Sequence, residues 1–195
     1  MQVYDKAINQ YQAALSMRNS SSLRSNLGLC YQRAGNFEEA EHCYEQAMQL
    51  DPKNAYAINN LSALYFRLGN YDEALDIAVE AIEVNPKMRQ ALTTAAICCG
   101  ILGYDEEYQQ YYRQAVANGA DGKQIKEIIK NEMLEIKNKF GDERRTAIEE
   151  AEKGKTIEET AEFVEKLKGK ICHHFTVDNL YHLKRGGRIS TATAI

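Results

Sequence analysis

The chain has 195 residues, 44% of them apolar, and a formal net charge of −4; that length allows one or two domains with a real core. Trp is absent, 12 Tyr are present and Pro occurs only 2 times, a composition that favours long uninterrupted helices. Residues 1–121 hold 9 Lys/Arg against 15 Asp/Glu, and residues 122–195 hold 15 against 13, so the front of the chain lacks the basic face that a nucleic-acid binder needs.

Helical periodicity starts at once. Tyr4, Ala7, Tyr11 and Ala14 match the second helix of a helical hairpin whose first helix would precede Met1. Residues 1–20 are therefore expected to be a partial repeat with an uncapped apolar face, a route to a homo-oligomer through the N-terminal helix.

From Ser21 a ladder of small and turn-forming residues recurs at a shift of 34. Gly35, Ala40, Ala47 and Pro52 return as Gly69, Ala74, Ala81 and Pro86, and Leu27, Tyr31 and Leu50 as Leu61, Tyr65 and Val84. Each unit predicts a helix A, a Gly turn where the chain needs a left-handed residue (Gly35-Asn36, Gly69-Asn70, Gly103-Tyr104), and a helix B ended by Asp51-Pro52 or Asn85-Pro86. Full repeats span 21–54 and 55–88. A degenerate one spans 89–121, with Tyr108 in a small-residue slot, no Pro, and Asn118-Gly119-Ala120-Asp121-Gly122 as a stop.

Over residues 2–118 the chain resembles the tetratricopeptide-repeat family. The resemblance implies a mainly α fold, an α-solenoid, and non-enzymatic binding of an extended peptide or partner helix in a concave groove lined by the A helices. The groove residues it implies are Asn26, Leu29, Arg33, Tyr56, Asn59, Asn60, Ala63, Arg67, Thr94 and Ile97. Members that clamp a C-terminal carboxylate place Lys or Arg on helix A; the matching slots here hold Ser22, Gln90 and Thr94, leaving Arg33 and Arg67 as anion contacts. The bland alternative is that the Asn side chains sit on a solvated helix face.

Residues 122–146 are expected to form a linker helix, with Ile125, Ile128, Ile129, Met133 and Ile136 on one face and Gly141-Asp142 as its stop. Leu134–Thr146 resembles a piece of the type II topoisomerase A subunit, in which a helix ends in a Lys-Phe-Gly-Asp-Glu-Arg-Arg-Thr turn. That piece carries none of the enzyme's nucleophilic machinery, so no topoisomerase activity follows. Arg144-Arg145 is read as a solvated turn rather than a DNA site.

Thr156 and Glu159 form a capping box for a helix with Ile157, Ala161, Val164 and Leu167 on one face. Ile171–Val177 is the expected strand. His173 and His174 would point to opposite sides of it, so no metal is expected there. Gly186-Gly187-Arg188-Ile189-Ser190 is a glycine turn able to hold an anion. On Phe175–Leu180, Leu183–Ser190 and the Gly154–Glu159 helix start, residues 147–195 resemble the DegV-type fatty-acid-binding proteins. That resemblance implies a small α+β tail and, as an alternative function, lipid binding with Arg188 and Ser190 at the headgroup. The segment is much shorter than such a protein.

Three resemblances in one chain indicate a composite, with seams near Gly119–Lys123 and Arg145–Glu150. The sequence shows no catalytic arrangement, phosphate loop or cofactor motif, so no catalytic residue, cofactor or metal is expected. Its 5 Cys (Cys30, Cys43, Cys98, Cys99, Cys172) lack metal spacing, and neighbours such as Cys98 and Cys99 cannot pair on a helix. With no leader at Met1-Gln2-Val3-Tyr4 and no membrane-length apolar stretch, the expectation is a cytoplasmic protein with a protein or peptide partner, and neither nucleic acid nor membrane.

Overall fold

The computed structural model describes residues 2–152, all but the turns helical. The chain divides into two units, Met1–Lys130 and Asn131–Ile195. In the first, α1 (Gln2–Met17) is followed by α2 (Ser21–Ala34) with α3 (Phe37–Leu50), α4 (Ala55–Leu68) with α5 (Tyr71–Val84), and α6 (Arg89–Leu102) with α7 (Asp105–Ala117); α8 (Gly122–Glu152) begins there. The second unit is described only over the remainder of α8.

The hairpins close as the glycine spacing requires. Gly35, Gly69 and Gly103 cap α2, α4 and α6 with φ of 89°, 82° and 82°, a left-handed conformation that side-chain-bearing residues avoid. The Asn36 and Asn70 amides donate back to the Tyr31 and Tyr65 carbonyls at 3.0 Å each. Inside the first hairpin, Gly28 faces Tyr44: a Cβ on Gly28 would lie 2.7 Å from Tyr44 Cε1. In the second hairpin Ser62 occupies the Gly28 position, and its buried hydroxyl donates to the Ala74 carbonyl at 2.7 Å.

Consecutive hairpins stack through shared cores. Ala40, Tyr44, Leu61 and Leu64 join the first to the second, and Ala55, Ile58, Ala81, Met88 and Ala91 join the second to the third. At the N-terminal end Ile8, Leu27 and Cys43 form a cluster packed by Tyr11, Leu15 and Tyr31. Tyr11, expected on an uncapped face, is thus half-buried against α2.

The third hairpin keeps its geometry despite Tyr108. Gly100 lies beside that ring and leaves room for α8: its Cβ position would be an ordinary 3.4 Å from Tyr108 Cδ2 but only 2.5 Å from Ile129 Cδ1. The stop at residues 118–122 is a turn, with Gly119 at φ 87° and Asp121 Oδ1 accepting from the Lys123 amide at 2.8 Å. Beyond it, α8 starts where the 34-residue spacing would start another helix A, with Ile125 buried and Ile129 against Gly100.

One expectation is overturned. Gly141-Asp142 does not stop the linker helix, and the turn implied by the topoisomerase resemblance does not form: α8 runs on to Glu152. A helical Gly costs only about 1 kcal/mol relative to Ala, and with no Pro in α8 that cost is absorbed. The capping box at Thr156, the strand at Ile171–Val177, His173, His174, Arg188 and Ser190 lie outside the described residues.

Candidate groove on the A helices

The helices α2, α4 and α6 lie side by side, each touching the next. On α4, Tyr56, Asn60, Ala63 and Arg67 follow at steps of four, three and four residues, which places them on one stripe; Asn26 and Arg33 on α2, and Thr94 and Ile97 on α6, occupy the equivalent stripes. Asn60 Nδ2 donates to Ser25 Oγ at 3.3 Å. This bond ties α4 to α2 and uses one of the amide's two N–H donors.

Tyr56, one turn before Asn60 on the same stripe, is 69% exposed. Asn59 is only 8% exposed, and its Oδ1 is buried without a hydrogen-bond partner, an arrangement native proteins seldom tolerate without a reason. The repeat register makes Asn59 and Thr94 the equivalents of Ser25 and Asn60, but Thr94 Oγ1 donates instead to the Gln90 carbonyl at 3.1 Å. Ile97 is buried at 4% exposure and forms the floor rather than the wall. A cleft of about 520 Å³ opens at the α6 end, lined by Arg89, Gln90, Thr94, Asp121 and Ile128 among others. Asp121, its only carboxylate, already accepts from the Lys123 and Gln124 amides.

The arginines differ in their engagement. Arg24 is held by Asn19 and Gln46, on the side of α3. Arg67 spreads its guanidinium over the Phe37 ring at 5.3 Å, a stacking that leaves its in-plane N–H edge open. Arg33 is exposed in the last turn of α2, and Arg89 lines the cleft. Sequence reasoning missed Ser25 and Arg89. The repeat register could have found Ser25, whereas Arg89 comes to line a cleft only through the start of α8.

Buried groups away from this face are held in their neutral forms. Burial pushes the Cys98 thiol up, and the Cys99 thiol up to about 12. The hydrogen bond from the Tyr65 hydroxyl to Glu41, aided by burial and the carboxylates of Glu41, Glu45 and Glu73, holds that phenol up to about 12. Among the described residues, no group of His, Cys, Asp and Glu is arranged to hold a metal, and no helix is long and apolar enough to cross a membrane.

Comparison with known proteins agrees with this architecture. Residues 19–87 match the family described as tetratricopeptide repeat, and residues 144–195 match the DegV family of uncharacterised proteins. The chain thus joins tetratricopeptide repeats to a DegV-like segment.

Two crystal structures of MamA share the fold. One has a TM-score of 0.54 at 19% identity, covering 59% of this chain and 63% of that one; the other has the same score and identity, covering 71% and 91%. The first TPR of Spaghetti (RPAP3), bound to the HSP90 peptide SRMEEVD, has a TM-score of 0.52 at 20% identity, covering 60% of this chain and 95% of that one. A DegV domain-containing protein of Clostridium perfringens (strain 13 / Type A) is 61% identical over 41 residues, which is 21% of this chain and 14% of that protein. The chain therefore matches only about a seventh of that curated relative's length.

Proposed function

We propose that the concave face of α2, α4 and α6 binds an extended segment of a partner protein, and that the chain acts by binding rather than by catalysis. The observation that carries this is the 69% exposed Tyr56 ring on the same stripe as Asn60, whose amide keeps an N–H beyond its bond to Ser25. That N–H would donate to a backbone carbonyl laid along the groove, and the ring supplies apolar area at low entropic cost. A similarly folded domain, the first TPR of Spaghetti, holds a peptide, which supports the reading.

The test is enrichment of the full chain on a displayed peptide library. Tyr56→Ala with Asn60→Ala should abolish enrichment while the helical melt is retained. Enrichment that survives in the double variant, and disappears only on deleting residues 150–195, would overturn the assignment.

The match of residues 144–195 to the DegV family favours a second reading, fatty-acid binding through that segment with Arg188 and Ser190 at the headgroup. It predicts co-purified long-chain fatty acid by mass spectrometry. An empty extract and no thermal shift with oleate would remove it.

A further inference from the structure

The joint between the first and second hairpins and the joint between the second and third differ in the polar pairs beside their cores. Both rest on an apolar cluster. The first joint is also pinned twice. Asn54 Nδ2, at the start of α4, donates to Ser21 Oγ at 2.7 Å, and Asn60 Nδ2 donates to Ser25 Oγ at 3.3 Å. The repeat shift of 34 carries these pairs to Ala55 with Met88, and to Asn59 with Thr94, at the second joint.

One pin is replaced there by packing. Ala55 and Met88 are both buried in the second joint's core. Apolar contact has no preferred direction, and a Met side chain fills gaps of changing shape. This pair therefore tolerates a shift that the Asn54–Ser21 bond resists.

The other pin keeps its chemistry and is unmade. Each pair sets one amide against one hydroxyl, with the two sides exchanged. At the first joint the amide belongs to the later helix and donates. At the second it belongs to the earlier helix, and its buried Oδ1 stands as an acceptor without a partner. The Thr94 hydroxyl is the matching donor, but it is spent on the Gln90 carbonyl at 3.1 Å. A carbonyl inside a helix also accepts the backbone amide four residues on, so Gln90 loses little if the hydroxyl leaves. Asn59 Oδ1 has no such reserve.

We propose that Asn59 and Thr94 form a latch, open in this structure, whose closing draws α6 onto α4. The Thr94 hydroxyl has two resting places, the Gln90 carbonyl and Asn59 Oδ1. Rotation about χ1 carries it between them, and a helical Thr has two χ1 wells to occupy. With the latch open, the second joint lacks both pins of the first and is the step of the array that slips. With it closed, the joint is held as the first one is. Thr94 and Gln90 also line the cleft at the α6 end, so the latch position reshapes that wall. Anything that binds there better in one position drives the latch toward it. The latch does not depend on what the groove binds.

The test is made on the full chain with 13C-labelled Thr methyl groups. Three-bond couplings to Thr94 Cγ2 report its χ1. In the native chain they should be averaged over two rotamers, and Asn59→Leu should collapse them to the one that bonds Gln90. Equal averaging in both chains would mark the exchange as intrinsic to a helical Thr and overturn the latch. A single rotamer in the native chain would overturn it as well.

A second experiment closes the latch by substitution. Thr94→Asn places at the second joint the kind of residue that pins the first. It should raise the melting midpoint by a few degrees and slow amide exchange in α6. In the Asn59→Leu background it should gain nothing, because the acceptor is gone. A gain that persists in that background, or a folded Thr94→Asn chain that melts no higher, counts against the pairing; the methyl couplings decide if this variant does not fold.

Discussion

At the scale of single residues, stability rests on pairs that the repeat spacing sets face to face. Gly28 and Tyr44 are the clearest pair: Tyr44 is fully buried, and its hydroxyl donates to Gln32 at 2.7 Å. Gly28→Ala would add a methyl where the Tyr44 ring lies. Overpacking of this kind costs about 1–3 kcal/mol, so the variant should melt several degrees lower by far-UV circular dichroism, and an unchanged midpoint would contradict the geometry. Asn59 should respond oppositely. Asn59→Leu removes a buried acceptor left without a bond, relieving about 1–3 kcal/mol of desolvation. It should raise the melting midpoint; a variant that melts lower would show the oxygen to be satisfied after all.

The element scale shows what could be read from the chain beforehand. Gly35, Gly69 and Gly103 marked three turns because a left-handed backbone leaves little choice of residue. Leu27 and Leu61 marked core faces because helical periodicity depends only on neighbours in sequence. Other features depend on partners remote in sequence. That Asn60 reaches Ser25, that Arg67 lies over Phe37, and that Asn59 is buried all follow from how α4 seats against α2 and α3. Tyr108 looked like damage to the third repeat because the neighbour beside its ring, Gly100, is on another helix.

Gly141 misled for a different reason: glycine weakens a helix without forbidding it. Nothing lies within 4 Å of a Cβ placed there, and the backbone is helical. Gly141→Ala should therefore stabilise α8 by about 0.4–1 kcal/mol and slow amide exchange on either side of the site. Gly69→Ala, at φ 82° with equally open space, should destabilise by about 1 kcal/mol. Opposite signs from the same substitution separate backbone strain from crowding.

For the molecule as a whole, the resolved shifts of the thiols and phenols among the described residues all point upward. Cys43 and Cys99 lie above the ordinary thiol value of 9.0, chiefly through burial. Tyr44, through burial, and Tyr65, chiefly through its bond to Glu41, lie above the ordinary phenol value of 10.0. A raised folded-state value means that the unfolded chain loses these protons first, so the stabilisation is complete below the unfolded value and drains away as pH climbs toward the folded one. Thermal midpoints should therefore begin to fall from about pH 9 upward. Tyr65→Phe should flatten the part of that fall between pH 10 and about 12, in melts followed by circular dichroism. A midpoint that holds steady through this range would mean that the buried thiols and phenols are accessible to hydroxide.

The start of α8 in the slot of a further inner helix, with Ile129 resting on Gly100, gives the array a growing end rather than a lid. Each step is docked by the same kind of join, so the staircase carries no internal gauge of its own length. Splicing a duplicate of residues 55–88 after Met88 would add a tread and lengthen the channel without retuning the joins above or below it.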